Sequence, residues 1–136
     1  MSRVIRTEPA SRTRAQLLAG ASKALDGMTP SLSREELQDR LAFLGLCLAE
    51  VRRSLDQTIE AWEKRGYWVK ADRFRDEWRW LDEAVAQITQ ALESGNLAAA
   101  VELARALNGK LPLPHAVRGR GKDPVWLGSW ERWIRR

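Results

Sequence analysis

Residues 33–66 read SREELQDRLAFLGLCLAEVRRSLDQTIEAWEKRG, and this stretch decides the fold. Ser33 followed by Glu36 is the pattern of a capping box, in which the two side chains satisfy backbone N–H groups at the start of a helix. Apolar residues, with one threonine among them, then recur at alternating steps of four and three: Leu37, Leu41, Leu44, Leu48, Val51, Leu55, Thr58 and Trp62. This heptad pattern predicts one amphipathic helix over about 34–65, roughly 48 Å long at about 1.5 Å per residue.

A second heptad pattern follows directly, at Tyr67, Ala71, Phe74, Trp78, Leu81, Val85, Ile88 and Leu92. The phase breaks between Trp62 and Tyr67, next to Gly66, and glycine closes helices most readily in the left-handed conformation. We therefore predict two long helices that fold back on each other through a turn at 65–67, which is an antiparallel helical hairpin. The alternative is one helix kinked at Gly66, which would need an external partner for both apolar faces.

Two shorter helices are predicted on either side of the hairpin. The first is built around four apolar residues near the N-terminus: Leu17, Leu18, Ala21 and Leu25. In the second, Asn96 caps a helix that runs from Leu97 to about Leu107. We expect both helices to dock on an apolar flank of the first long helix, formed by Phe43, Leu46 and Cys47.

The C-terminal region contains an extended segment and then one more helix. The two prolines of residues 111–114 favour extended backbone. Asp123 followed by Pro124 is typical of an N-cap followed by the first helical residue. The apolar residues of the predicted helix fall on a single face: Trp126, Leu127, Trp130, Trp133 and Ile134.

Together these patterns predict an all-α fold, a small helical bundle built on a long antiparallel helical hairpin, with basic N- and C-terminal extensions. Residues 1–32 form a basic arm with a short helix, and residues 33–109 form the hairpin and the third helix. Residues 110–136 form a linker rich in proline, arginine and glycine and the tryptophan-rich helix.

The net charge of +5 is segregated along the chain. Residues 1–25 carry five basic residues and one acidic residue, and residues 109–136 carry seven basic and two acidic residues. The middle of the chain carries 11 basic and 15 acidic residues. Charge segregated in this way indicates a polyanionic partner for the two ends. The alternative is that the ends fold back on the acidic middle of the chain.

The sequence offers few residues for chemistry. Cys47 is the only cysteine, and the only histidine, His115, has no cysteine or carboxylate at metal-ligand spacing. We expect no catalytic residues, no metal, no cofactor and no enzyme activity. No apolar run has the length of a signal peptide or a membrane span, so a cytoplasmic protein without a membrane partner is expected.

Basic residues in three regions are the predicted contacts to nucleic acid, because cations bind phosphates. They are Arg3, Arg6, Arg12 and Arg14 in the N-terminal arm, Lys70 and Arg73 near the predicted turn, and Arg118, Arg120 and Lys122 in the linker. Near the turn the basic residues alternate with aromatic residues, whose rings offer stacking faces to unpaired bases.

Most of these aromatic residues, however, occupy heptad positions and are expected in the core: Trp62, Tyr67, Phe74 and Trp78. Trp68 and Trp80 lie off the heptad pattern and are predicted to contact a partner. We predict the same role for Trp126, Trp130 and Trp133, since tryptophan is enriched among the energetically dominant residues of interfaces.

These features favour a non-catalytic helical subunit of a nucleoprotein assembly, which binds RNA, in preference to DNA, through its basic ends and other subunits through its helical faces. Small helical subunits of ribosomes and of RNA-guided complexes have this size and class, which is an analogy alone. The alternative is a protein–protein adaptor or assembly factor that docks through the hairpin and the tryptophan helix. A homo-oligomer stays open, since heptad faces serve hairpins and dimers alike.

The basic linker provides a first test. Replacing Arg118, Arg120 and Lys122 by glutamine is expected to weaken binding to all nucleic-acid sequences, because each phosphate contact releases condensed counterions. In fluorescence anisotropy titrations over a salt range, the log–log slope should flatten by roughly two to three units. Deleting residues 1–15 should act in the same direction. An unchanged slope in the triple variant would remove the linker from the nucleic-acid interface.

Overall fold

The computed structural model describes residues 10–112 and 124–136, and within them it contains α-helices and no strand. The all-α prediction is therefore confirmed. The helices are α1 (Ala10–Leu25), α2 (Arg34–Lys64), α3 (Trp68–Glu77), α4 (Arg79–Glu93), α5 (Leu97–Arg105) and α6 (Ser129–Arg135), with a 3₁₀ turn at Asn108–Lys110. Seven of the residues named above lie outside the described ranges, and with them the predicted N-cap at Asp123: Arg3, Arg6, His115, Arg118, Arg120, Lys122 and Asp123.

Helix α2 is the long helix that the heptad pattern predicts, and it spans 31 residues. The Ser33 hydroxyl accepts a hydrogen bond of 3.1 Å from the backbone N–H of Glu36, as the capping pattern requires. The Glu36 carboxylate lies 3.8 Å from Nε of Arg40, one turn further along the helix.

The chain reverses at Gly66, as predicted. Gly66 has a φ of 81°, in the left-handed region that glycine adopts without a steric penalty. Its N–H donates to the carbonyl of Glu63, and the N–H of Tyr67 donates to the carbonyl of Trp62 over 2.9 Å. This pair of hydrogen bonds is the Schellman arrangement, which ends α2 at Lys64.

Contacts across the hairpin run in opposite directions along its two arms. Trp62 packs on Phe74 with ring centroids 4.9 Å apart, and further back along α2 Arg52 is hydrogen-bonded to Asp82 of α4. The two arms are therefore antiparallel. Their facing apolar residues are buried, as predicted, with Val85 half-buried: Leu44, Leu48, Val51, Leu81 and Ile88.

The second arm is broken at Trp78, where the sequence predicts a continuous helix. Trp78 has φ −107° and ψ 11°, and it separates α3 from α4. The break allows the rings of Trp78 and Trp80 to stack, with centroids 5.9 Å apart and an angle of 27° between the planes. Residues two apart in a regular helix do not face each other, so this contact is incompatible with an unbroken helix.

Helix α1 packs along α2 in the opposite direction. Arg14 of α1 is bonded to Thr58, Gly20 lies against Phe43 and Cys47, and the carbonyl of Ala24 accepts from Arg40. The N-terminal helix therefore covers the Phe43–Cys47 flank, as predicted. Helix α5, which is capped by Asn96 as predicted, contacts α4 as well as α2.

The C-terminal helix is shorter than predicted. Residues 125–128 form turns, Gly128 has a φ of 80°, and the helix starts only at Ser129. Trp126 and Trp130 therefore do not belong to one continuous helix. The prediction of a single apolar face is wrong for Leu127 and Ile134, whose side chains are both 59% exposed.

Truncating the core side chain of Leu48 is expected to lower the free energy of unfolding by about 2–5 kcal/mol, the usual cost of a leucine-to-alanine change in a packed core. Leu48 is fully buried, so its removal leaves a cavity. Denaturant titration followed by circular dichroism measures the change. Leu127→Ala, at an exposed position, is the control and should cost less than about 0.5 kcal/mol. An equal decrease in the free energy of unfolding in the two variants would contradict the burial of Leu48 in the core.

Candidate functional site

The end of the hairpin exposes three consecutive apolar side chains. We call residues 64–73 the hairpin tip. In it Tyr67 is 53% exposed, Trp68 60% and Val69 67%. The prediction that Tyr67 lies in the core is wrong. The turn at Gly66 places Tyr67 beyond the end of α2, so α2 has no residue opposite its side chain. In α3 only Ala71 is buried, so the first turn of this helix is presented to solvent.

Three of the four cations of the hairpin tip have no carboxylate partner among the described residues, whereas Lys64 has one. Among the described residues, the guanidinium groups of Arg65 and Arg73 have no hydrogen bond and no carboxylate partner. Nζ of Lys70 lies 4.7 Å from the centroid of the Trp62 ring. Lys64 is paired with Glu60 at 3.2 Å. Lys70 and Arg73, both predicted to contact nucleic acid, are thus exposed together at the tip.

One shallow depression joins the aromatic residues and the cations of the hairpin tip. Its lining consists of Gly66, Tyr67, Trp68, Val69, Lys70 and Arg73. The arrangement offers ring faces and positive charge to the same ligand.

The groove between α2 and the α3–α4 arm is also rich in arginine, but its charges are compensated. Arg52 is bonded to Asp82, Arg79 to Asp76, and Arg75 to both Glu63 and Asp72. The hydrogen bond to Glu63 raises the pKa of Arg75 above its usual value. This groove therefore presents little net charge to an anion.

Arg14, predicted as a contact to nucleic acid, has a different position. Its side chain is buried, donates to Oγ1 of Thr58 over 3.1 Å and lies 5.2 Å from the centroid of the Phe74 ring. Burial lowers the pKa of this guanidinium. Arg14 therefore holds α1 against α2 and α3 and is not available to a ligand, whereas Arg12 is exposed on α1.

Of the two tryptophans off the heptad pattern, only Trp68 is exposed. Trp80 is half-buried, stacks on Trp78 and has Nζ of Lys110 6.0 Å from its ring centroid. Trp80 packs against the core of the protein, which leaves Trp68 as the member of the pair that a partner can reach.

The C-terminal tryptophans pack on their own chain. Trp133 is 4% exposed and meets α2 at Gly45, where an added Cβ would lie 3.0 Å from the indole ring. Trp130 is half-buried, and Trp126 lies under the guanidinium of Arg40, 4.1 Å from ring centroid to carbon. For Trp133 the predicted partner contact is replaced by burial in the bundle.

Asp39 fastens this C-terminal segment, a role that the sequence did not indicate. Its carboxylate accepts hydrogen bonds from the backbone N–H of Gly128, over 3.2 Å, and of Trp130, over 2.9 Å. It thus satisfies free donors at the start of α6, where the helix dipole also favours negative charge. One residue of the sequence indicates that another element packs closely on α2. Gly45 lies inside the helix, where glycine is costly and often has a packing reason.

The free thiol of Cys47 is buried on α2. Burial raises the pKa of the Cys47 thiol to about 12, so it stays protonated at neutral pH and is a poor nucleophile. Residues 10–112 and 124–136 contain no cluster of histidine, cysteine or carboxylate side chains that could hold a metal ion. In the same ranges no helix is long and apolar enough to cross a membrane.

No known protein family, no curated protein and no solved structure matches this chain.

Replacing Asp39 by alanine is expected to release α6 from α2, because both backbone donors lose a charged acceptor. The loss of stability should be about 1.5–3 kcal/mol, the range for hydrogen bonds to charged groups. Hydrogen exchange at the Trp130 amide should accelerate while the α2–α4 core stays protected. Asp56→Ala, at an exposed position of the same helix, is the control. Unchanged protection at Trp130 in the Asp39 variant would show that the carboxylate does not hold this helix.

Proposed function

We propose that this protein is a non-catalytic helical subunit of a cytoplasmic nucleoprotein assembly. It binds nucleic acid, RNA in preference to DNA, through the hairpin tip and its basic ends, and it binds other subunits through its helical faces. The observation that carries the proposal is the pair of uncompensated arginines, Arg65 and Arg73, beside exposed aromatic rings.

The pairing of Arg75 takes up the two carboxylates that lie next to the tip cations in the sequence. Arg75 binds both Glu63, two residues before Arg65, and Asp72, the residue before Arg73. Arg65, Lys70 and Arg73 are left without a carboxylate partner among the described residues. A phosphate that approaches them meets guanidinium groups that have no intramolecular ion pair to break, and arginine matches phosphate geometry with two parallel hydrogen bonds.

The direction of α1 places its first residues near the hairpin tip. Arg14 lies beside Thr58 and Phe74, so the start of α1 points towards the hairpin tip. This direction supports a polyanion that contacts both the start of α1 and the hairpin tip.

The alternative function is a protein–protein adaptor or assembly factor. Exposed apolar side chains of the C-terminal segment favour it: Val125, Leu127 and Ile134. In this alternative the apolar residues of the tip and of the C-terminal segment contact protein, and the cations bind acidic side chains.

The two functions differ in the effect of Arg65→Gln/Arg73→Gln. If the tip binds a phosphate backbone, the double variant should bind single-stranded RNA more weakly, and the log–log salt slope should flatten by about 1.4 units, since each contact contributes about 0.7 on single strands. Anisotropy titrations of labelled RNA over a salt range measure both quantities.

The matched control for this experiment is Arg52→Gln/Arg79→Gln. It removes the same net charge from arginines that are already paired with Asp82 and Asp76. Its slope should stay close to that of the wild type. Wild-type protein that shows no salt-sensitive binding to RNA or DNA would refute the proposal and favour the adaptor.

A further inference from the structure

We infer that the hairpin tip is a stacking site for unpaired nucleotides, with Trp68 as the main ring and Tyr67 beside it. This inference rests on the proposed function and names the form of the nucleic acid, a single strand or an open loop. It follows from which ring faces are free, how large the exposed surface is and which cations surround it.

The ring of Trp68 is the exposed tryptophan face of the described chain. Within residues 10–112 and 124–136, Trp68 makes no ring–ring contact and lies under no cation. The other tryptophans are half-buried or buried. The side chain of Trp68 is 60% exposed, and no ring or cation contact with the described residues accounts for its position. Each nucleobase has a flat face that such a ring can cover, whatever the sequence.

The backbone conformation at the start of α3 fixes where the two rings stand. Tyr67 is the N-cap of α3, and Trp68 is the first helical residue. The turn before them is closed by the Schellman hydrogen bonds of Gly66 and Tyr67. The rings are therefore held on a closed turn and not on a long loop. Because the backbone is already ordered, less conformational entropy is lost when a ligand binds.

The cations lie close to the rings, where the phosphate backbone of a bound single strand would pass. Lys70 is three residues after Tyr67, Arg73 is four residues after Val69, and residues at these spacings share a helix face. All four line the same depression. Arg65 adds a further uncompensated charge at the end of α2. Stacking faces next to unpaired cations are the features by which single strands are held without sequence preference.

The size of the surface favours a nucleotide over a folded protein. Six residues line the depression. A stable protein–protein interface uses about 20–30 residues on each side, whereas one or two bases need one or two rings and a few cations. A duplex could contact the cations but not the ring faces, since its bases are stacked on each other. The site therefore selects unpaired nucleotides.

The test compares a fluorescein-labelled oligouridine with a blunt RNA duplex of the same length, each titrated with wild-type protein and with Trp68→Ala. The single strand should bind the variant roughly 5- to 150-fold more weakly, which corresponds to about 1–3 kcal/mol for the loss of one stacking ring. Duplex affinity should change less than about twofold, because it depends on the cations alone. Trp68→Phe keeps a ring and should recover most of the lost affinity.

Val69→Ala is the matched control, since it truncates the neighbouring exposed residue without removing a ring. It should leave the affinity for oligouridine within about twofold of wild type, because stacking needs an aromatic face. Thermal unfolding of all three variants checks that the fold is intact, which the exposure of these side chains predicts.

The outcomes separate the inference from the proposed function. Salt-sensitive binding by wild type, with Trp68→Ala equal to wild type on oligouridine, would overturn the stacking site and leave the proposed function standing. If Trp68→Ala lowered the affinity for the single strand and for the duplex by the same factor, the stacking site would also be overturned. If wild type binds neither RNA, the proposed function fails and the stacking site fails with it.

Discussion

The apolar stripe of α2 is the constraint on which the rest of the structure depends, because a 31-residue amphipathic helix cannot bury its own apolar face. Leu41, Leu44 and Leu48 are fully buried, and this burial is achieved by other helices that pack around α2. Helices α1, α3, α4, α5 and α6 all contact it. The remaining helices are short and gain little stability alone, so each depends on this one surface.

The stripe does not reach the end of α2, and this explains the position of the candidate site. Leu55 is the last buried residue of α2, and Ala71 is the only buried residue of α3. Beyond Leu55 the two arms are joined by aromatic contacts of Trp62 and Phe74 and by Arg14, not by a broad apolar core. Since no helix of residues 10–112 and 124–136 packs over it, the hairpin tip exposes Trp68 and its cations.

Features set by local sequence could be predicted, and features set by distant contacts could not. The helix α2 and the turn at Gly66 follow from heptad spacing and from the preference of glycine for positive φ. The break at Trp78 coincides with the stacking of its ring on Trp80, a contact that no periodicity encodes. In the candidate site, Lys70 and Arg73 could be predicted as contacts to nucleic acid, because basic residues alternate with aromatic residues in that part of the sequence. That Arg65 has no carboxylate partner among the described residues is visible only in the folded chain, where Arg75 binds Glu63 and Asp72.

The two ends of the molecule show why tryptophan and arginine together do not by themselves indicate a binding site. At the C-terminal end the guanidinium of Arg40 covers Trp126, and that of Arg136 lies 3.7 Å from the Trp133 ring centroid. These pairs occupy both the ring face and the cation, so they stabilise the fold. At the hairpin tip the same residue types are present, but Trp68 and Arg73 make no such pair within the described chain. What distinguishes the tip is therefore that neither the ring nor the charge is satisfied internally, and a ligand with a flat face and a negative charge can satisfy both.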